Sequence, residues 1–234
     1  MSEPTEQHAG DPGTPESVGG FRLVDVPTAE VDAVEAATQP VVDAARALAR
    51  ALIRTRVGAD ELALVAKELQ SLTARLEADA ETGPVGVRFN HEGRSWEWGN
   101  AAVGQRNVAA APLECWFVDD GLDVAGRAVL DERHEGPPGL VHGGVSALLL
   151  DQVMGKTASA HHTQFTFTGT LTMRYRQPLR MGTVELSGRI ARQEGRKVWV
   201  EATIGNPGSV AVEAEGVFIK PAWEAAQDAA AAIS

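Results

Sequence analysis

Apolar positions recur with two different periods along this chain, and the switch between them divides it. Between 28 and 80 the period is helical. Pro40 fits the first turn of a helix, where its missing N–H costs no bond. Val41, Ala45, Leu48, Leu52 and Ile53 then follow at helical spacing. Gly58 suits a helix end and Asp60 the next N-cap. A second helix carries Leu62, Val65, Leu69, Leu72 and Leu76 in alternating steps of three and four, a narrow stripe of the kind seen in helix–helix seams. The pair predicts a helical hairpin packed on itself or on the main domain, with a self-association arm as the alternative. Residues 1–27 are read as a tail without fixed structure, with Phe21, Leu23 and Val24 as its apolar anchors.

Thr82-Gly83-Pro84 ends the helical stretch, and strand periodicity takes over. Residues 91–112 have no clean period; with Trp96 and Trp98 they are read as a loop or cap over a later site. A hairpin is expected from 113–119 and 122–133 around Asp120-Gly121. Residues 143–160 form the one strong helix of this half, apolar on nearly every side and therefore central. Four alternating segments follow at 166–176, 183–192, 197–205 and 209–220, each with one buried face. The order β-β-α-β-β-β-β predicts an α+β fold, one long helix wrapped by an antiparallel sheet. The expected divisions are a tail at 1–27, a helical hairpin extension at 28–82, the main domain at 83–221 and an Ala-rich C-terminal tail at 222–234.

Composition narrows the function. The 234 residues are 44% hydrophobic and 23% charged, with a formal net charge of −11. So acidic a chain is a poor partner for nucleic acid or anionic lipid. Its single cysteine, Cys115, lies in a predicted strand and is read as a small buried hydrophobe, which leaves neither a disulfide nor a cysteine metal cluster. No apolar run reaches the roughly 20 residues that span a bilayer, and the first 20 residues lack the marks of a signal peptide. A cytoplasmic protein is expected. His161-His162 follow the central helix, where they suit its C-terminal dipole better than a metal.

The chemistry concentrates in the central helix. His142-Gly143-Gly144 opens it and Asp151 closes its apolar run. Bare backbone N–H groups at a helix N-terminus can face an anion, and a carboxylate in apolar surroundings is seldom there without a partner or a task. The two together point to acyl transfer, with an oxyanion-binding turn at one end and an acid, base or nucleophile at the other. Eight residues separate Gly143 from Asp151, roughly 12 Å along a helix axis. One carbonyl carbon and its attacking water cannot use both from the same helix. A homodimer with two composite sites is therefore expected, either alone or within a homotetramer.

The run Glu135-Gly136-Pro137-Pro138-Gly139-Leu140-Val141-His142-Gly143-Gly144 with Asp151 resembles the hotdog-fold acyl-CoA thioesterases of the phenylacetate-degradation (PaaI) type. Thr168-Gly169-Thr170-Leu171-Thr172-Met173-Arg174-Tyr175-Arg176-Gln177-Pro178 is similar to a strand of that family. The likeness covers about 110–220. It implies a hotdog fold, an acyl-CoA substrate, self-association through that domain, and no metal or redox cofactor. It also implies roles: Asp151 as general base or nucleophile, the Gly143 N–H as oxyanion donor, and Thr168 as support for the attacking group. Some relatives carry an Asn six residues before the His, where this chain has Gly136. His142 is expected to shape the turn, with proton transfer as its alternative. Gly144, Arg174, Arg176 and Arg180 are candidates for holding substrate, the arginines through the phosphates of coenzyme A. Trp96 and Trp98 are candidates for a pocket roof. Two other functions fit the residues less closely: a non-catalytic acyl-CoA-binding or interaction protein, and a hotdog dehydratase or hydratase.

Overall fold

The computed structural model describes residues 17–18 and 21–222 and divides into two compact units between Val108 and Ala109. The C-terminal tail expected to fray lies almost wholly outside the described residues. No described helix is long and apolar enough to cross a membrane.

In the first unit, β1 (Ser17–Val18), β2 (Phe21–Leu23), β3 (Val87–Phe89) and β4 (Ser95–Trp96) form a small sheet in that order. The segment expected to be an unstructured tail thus contributes two strands, with Phe21 and Leu23 of the second level with Val87 and Phe89. Buried Asn90 accounts for the docking. Its amide nitrogen donates to the Val26 carbonyl at 2.9 Å and the Thr28 hydroxyl at 3.1 Å, and its oxygen accepts from the N–H groups of Glu92 and Arg94. One side chain so ties the entry of the first helix to the β3–β4 turn, with every polar atom satisfied.

The helices are α1 (Thr28–Arg54) and α2 (Ala59–Glu77). Pro40 lies inside α1 rather than in a first turn, because the helix begins twelve residues earlier at Thr28. One backbone hydrogen bond is lost there. Thr38 meanwhile turns its hydroxyl back onto the carbonyls of Val34 and Glu35. In α2, Val65 and Leu69 are half-buried and the other residues are exposed. Residues 91–107 belong to this unit too. Glu35 of α1 accepts from the Trp98 indole at 3.1 Å and the Arg94 guanidinium at 2.5 Å. The compact units divide at 108/109, and the sequence reading divides the chain at 82/83.

The second unit follows the predicted element order. Strands β5 (Glu114–Phe117), β6 (Val124–Leu130), β7 (Phe167–Tyr175), β8 (Gly182–Glu194), β9 (Lys197–Gly205) and β10 (Val212–Ile219) form one antiparallel sheet, ordered β5-β6-β8-β9-β10-β7. The β5–β6 turn centres on Asp119-Asp120, both at positive φ, one residue before the expected pair. Across the sheet lies α3 (Gly143–Ala158), whose Leu149, Leu150, Val153 and Met154 meet Val124, Val184, Val200, Ile204 and Phe218 in the core. Each such side chain, fully buried, contributes about 1.5–3 kcal/mol. Gly188 of β8 lets the helix approach: a Cβ there would fall 2.4 Å from the Thr157 hydroxyl. At the far end of α3, Ala160, His161 and His162 all take positive φ. His161 stacks on Phe117 at 3.7 Å and donates to the Gly121 carbonyl, fastening this end to the β5–β6 turn.

Candidate active site

The turn before α3 is built on its own backbone. Asp131 caps a single 3-10 turn, Glu132–His134. The chain then doubles back so that the His142 N–H donates to the His134 carbonyl at 2.9 Å, and Glu135 bridges to Val141. Gly136 lies against His142 in this fold-back; a Cβ would come within 2.8 Å of the His142 Cα. This accounts for the glycine where some relatives carry Asn, since the tight turn leaves no room for a side chain.

His142 is the N-cap of α3, its Nδ1 accepting from the Gly144 N–H at 3.0 Å. That bond occupies the Gly144 amide and leaves the ring proton on Nε2. The Gly143 N–H carries no hydrogen bond among the described residues. Of the two glycines flagged by the sequence, one amide is thus spent on the cap and the other is open, at the positive end of the helix dipole. Tyr175, at the end of β7, was not among the candidates. Its hydroxyl donates to the Gly143 carbonyl at 2.9 Å, and its ring lies where a Gly143 side chain would go. The Tyr-x-x-Pro spacing was the one available signal. A cavity of about 410 Å³ adjoins this turn, lined by Pro137, Leu140, Gly143, Ser146, Tyr175 and Leu179 among others.

Asp151 sits two turns further along α3, half-buried. Thr168, near the start of β7, donates its hydroxyl proton to Asp151 Oδ1 at 2.9 Å. Oδ2 carries no hydrogen bond among the described residues. Since β7 meets Asp151 at its start and Gly143 at its end, it runs antiparallel to α3. The open amide stands at the N-terminus of α3 and the carboxylate at its middle, two turns away.

Of the other candidates, Arg176 also lines the cavity beside Gly143. Arg174 pairs with Glu215 and Arg176 with Glu213, both across β10. Arg180 lends its backbone to Asn206, donating its N–H and accepting at its carbonyl. Trp96 and Trp98 lie in the first unit, where Trp98 donates to Glu35 and Arg106 stacks over its ring at 3.4 Å. Among the described residues, no group of three or more His, Cys, Asp or Glu side chains is arranged to hold a metal ion.

Comparison with known proteins bears on this arrangement. The thioesterase superfamily profile matches residues 138–213, which take in the glycine turn, Asp151 and Thr168. The crystal structure of a thioesterase superfamily protein is 34% identical, covering 78% of this chain and 94% of its own, with a TM-score of 0.69. That coverage exceeds the second unit and so extends into the first. The acyl-coenzyme A thioesterase THEM4 of Xenopus laevis is 34% identical over 89 residues, 37% of this chain and 40% of that protein. The chain thus spans less than half the length of this curated relative. With a helix laid across a six-stranded antiparallel sheet and a solved relative matched over nearly its whole length, the chain has the hotdog fold and belongs to the thioesterase superfamily.

Proposed function

We propose that this protein hydrolyses acyl-CoA thioesters to free acid and coenzyme A in composite sites formed by two copies. One observation carries the reading: the Asp151–Thr168 pair and the open Gly143 amide lie two turns apart on one helix, too far for both to serve one carbonyl. A second copy running antiparallel brings each amide to the other's carboxylate. Two features favour such a partner. Strand β7 is an edge strand nine residues long, and long open edges are templates for pairing. On α3, the face turned from the sheet carries Leu148, 40% exposed.

In this site the thioester carbonyl accepts from the Gly143 N–H, which stabilises the charge that develops on oxygen. Asp151 takes a proton from water as the water oxygen bonds to the carbonyl carbon. The tetrahedral intermediate collapses, the C–S bond breaks, and the proton passes to the departing thiolate. Thr168 holds Oδ1 and leaves Oδ2 for the water. Direct attack by Asp151, giving an anhydride that water then opens, uses the same groups. Single turnover in ¹⁸O-water separates the two, because only the anhydride route can leave label in the protein carboxylate. Neither route calls on a metal or redox cofactor.

The test is thiol release from a panel of acyl-CoAs. Asp151→Asn is expected to keep the fold and lose about 10²–10⁴ in kcat. Hydrolysis by that variant at the parent rate overturns the assignment. Tight acyl-CoA binding without thiol release by the parent chain would identify a binding protein instead.

A further inference from the structure

We infer that α2 is a self-association helix whose leucine seam receives α2 of a second copy of this chain, running antiparallel. Leu62, Val65, Leu69, Leu72 and Leu76 repeat every three and four residues, the spacing of a two-helix seam. The described chain leaves most of this stripe open: no residue of α2 is buried, Val65 and Leu69 are half-buried, and Leu62, Leu72 and Leu76 are 39%, 49% and 69% exposed. Most of a helix's stability in a protein comes from packing its apolar face, and in this 19-residue helix the seam is that face.

The residues flanking the seam identify the occupant and its direction. Glu61, Glu68 and Arg75 line one flank; Ala59, Ala66 and Thr73 line the other. In an antiparallel pair like flanks meet. Glu61 then faces the partner's Arg75, and this pairing occurs twice by symmetry. The small residues of the other flank let the helices approach. Glu68 meets its own copy at the two-fold axis, where both side chains reach solvent. In a parallel pair the acidic flank would face alanine and threonine, with no ion pair. The polar face, with Asp60, Glu61, Glu68 and Glu77 against Lys67 and Arg75, is wrong for an anionic membrane.

The experiment uses the full chain carrying Glu68→Cys, treated with a short bismaleimide. Antiparallel pairing places the two thiols together at the axis. A covalent dimer is expected from this variant and not from Lys67→Cys, which lies on the outer face, nor from the parent, whose only thiol is Cys115. Adding Arg75→Glu to Glu68→Cys should cut the yield several-fold, and exchanging both charges (Glu61→Arg with Arg75→Glu) should restore it. Leu69→Asp should abolish the product, with circular dichroism checking that the rest of the fold remains. Equal yields from Glu68→Cys and Lys67→Cys, or no response to the charge changes, would overturn the proposal. Thiol release plays no part in these readouts, so they stand or fall apart from the thioesterase reading.

Discussion

In the proposed mechanism a few atoms around α3 carry the chemistry, and the residues around them make separable predictions. Thr168 donates to Asp151 Oδ1, so Thr168→Val should leave the carboxylate in place but badly held and lower kcat about tenfold with little change in stability. Gly136→Asn restores the side chain some relatives have. Here it should destabilise the protein by about 1–3 kcal/mol in urea unfolding, because its Cβ would press on the His142 backbone. Burial pushes the Cys115 thiol up to about 11, against the opposing pull of nearby Lys156. Alkylation at pH 8 should therefore run about a hundredfold slower than for a free cysteine thiol; reaction at the free-thiol rate would show the strand to be open. Asp151 and Thr168 were expected together because the family resemblance gives both a role in one site. Which glycine amide stays free was not. That depends on the His142 rotamer, which places Nδ1 on Gly144. Tyr175 escaped notice because its partner is a backbone carbonyl 32 positions away, and composition does not register a backbone acceptor.

At the scale of elements, alternation was the reliable guide wherever one sheet face is buried. β6, β8, β9 and β10 all follow it, and α3 announced itself by a long apolar run. The N-terminal sheet was missed because strands of two and three residues are too short to show a period. Its coherence comes instead from Asn90, whose hydrogen bonds reach across more than 60 residues. Pro40 misled for a related reason: local preference favours a helix start, while the residues before it already form three turns. Leu150 of α3 is fully buried against the sheet, so Leu150→Ala should cost about 2–5 kcal/mol in urea unfolding. The turn leading into α3 has its own pH dependence. Burial holds His134 below the usual histidine range, with Asp131 opposing. The unfolded chain therefore takes up this proton first as pH falls. Stability contributed by the neutral, buried ring is present above the ordinary histidine pKa and is lost as pH drops toward the folded value. Urea midpoints should fall between pH 7 and pH 5, and His134→Phe should flatten that slope; an unchanged slope would place the titration elsewhere.

For the molecule as a whole, the proposed mechanism requires that one chain hold two half-sites rather than one site. The distance along α3 was readable from residue count alone, which is why a paired assembly could be expected before any coordinates. The open β7 edge and the exposed Leu148 face add surfaces for that partner. The decisive measurement is complementation in a mixed dimer. Asp151→Asn removes the carboxylate, and Gly143→Pro removes the open N–H at the first helical residue, where the backbone accepts proline; because a Cβ there meets the Tyr175 ring at 3.3 Å, circular dichroism and urea unfolding must first show that this variant keeps the fold. Each homodimer should be inactive. A purified heterodimer of the two, isolated through different tags, contains one doubly damaged site and one intact site if the halves come from different chains. It should show about half the parental turnover per dimer. A heterodimer as inactive as its parents would mean that amide and carboxylate act within one chain, or not together, and would contradict the account.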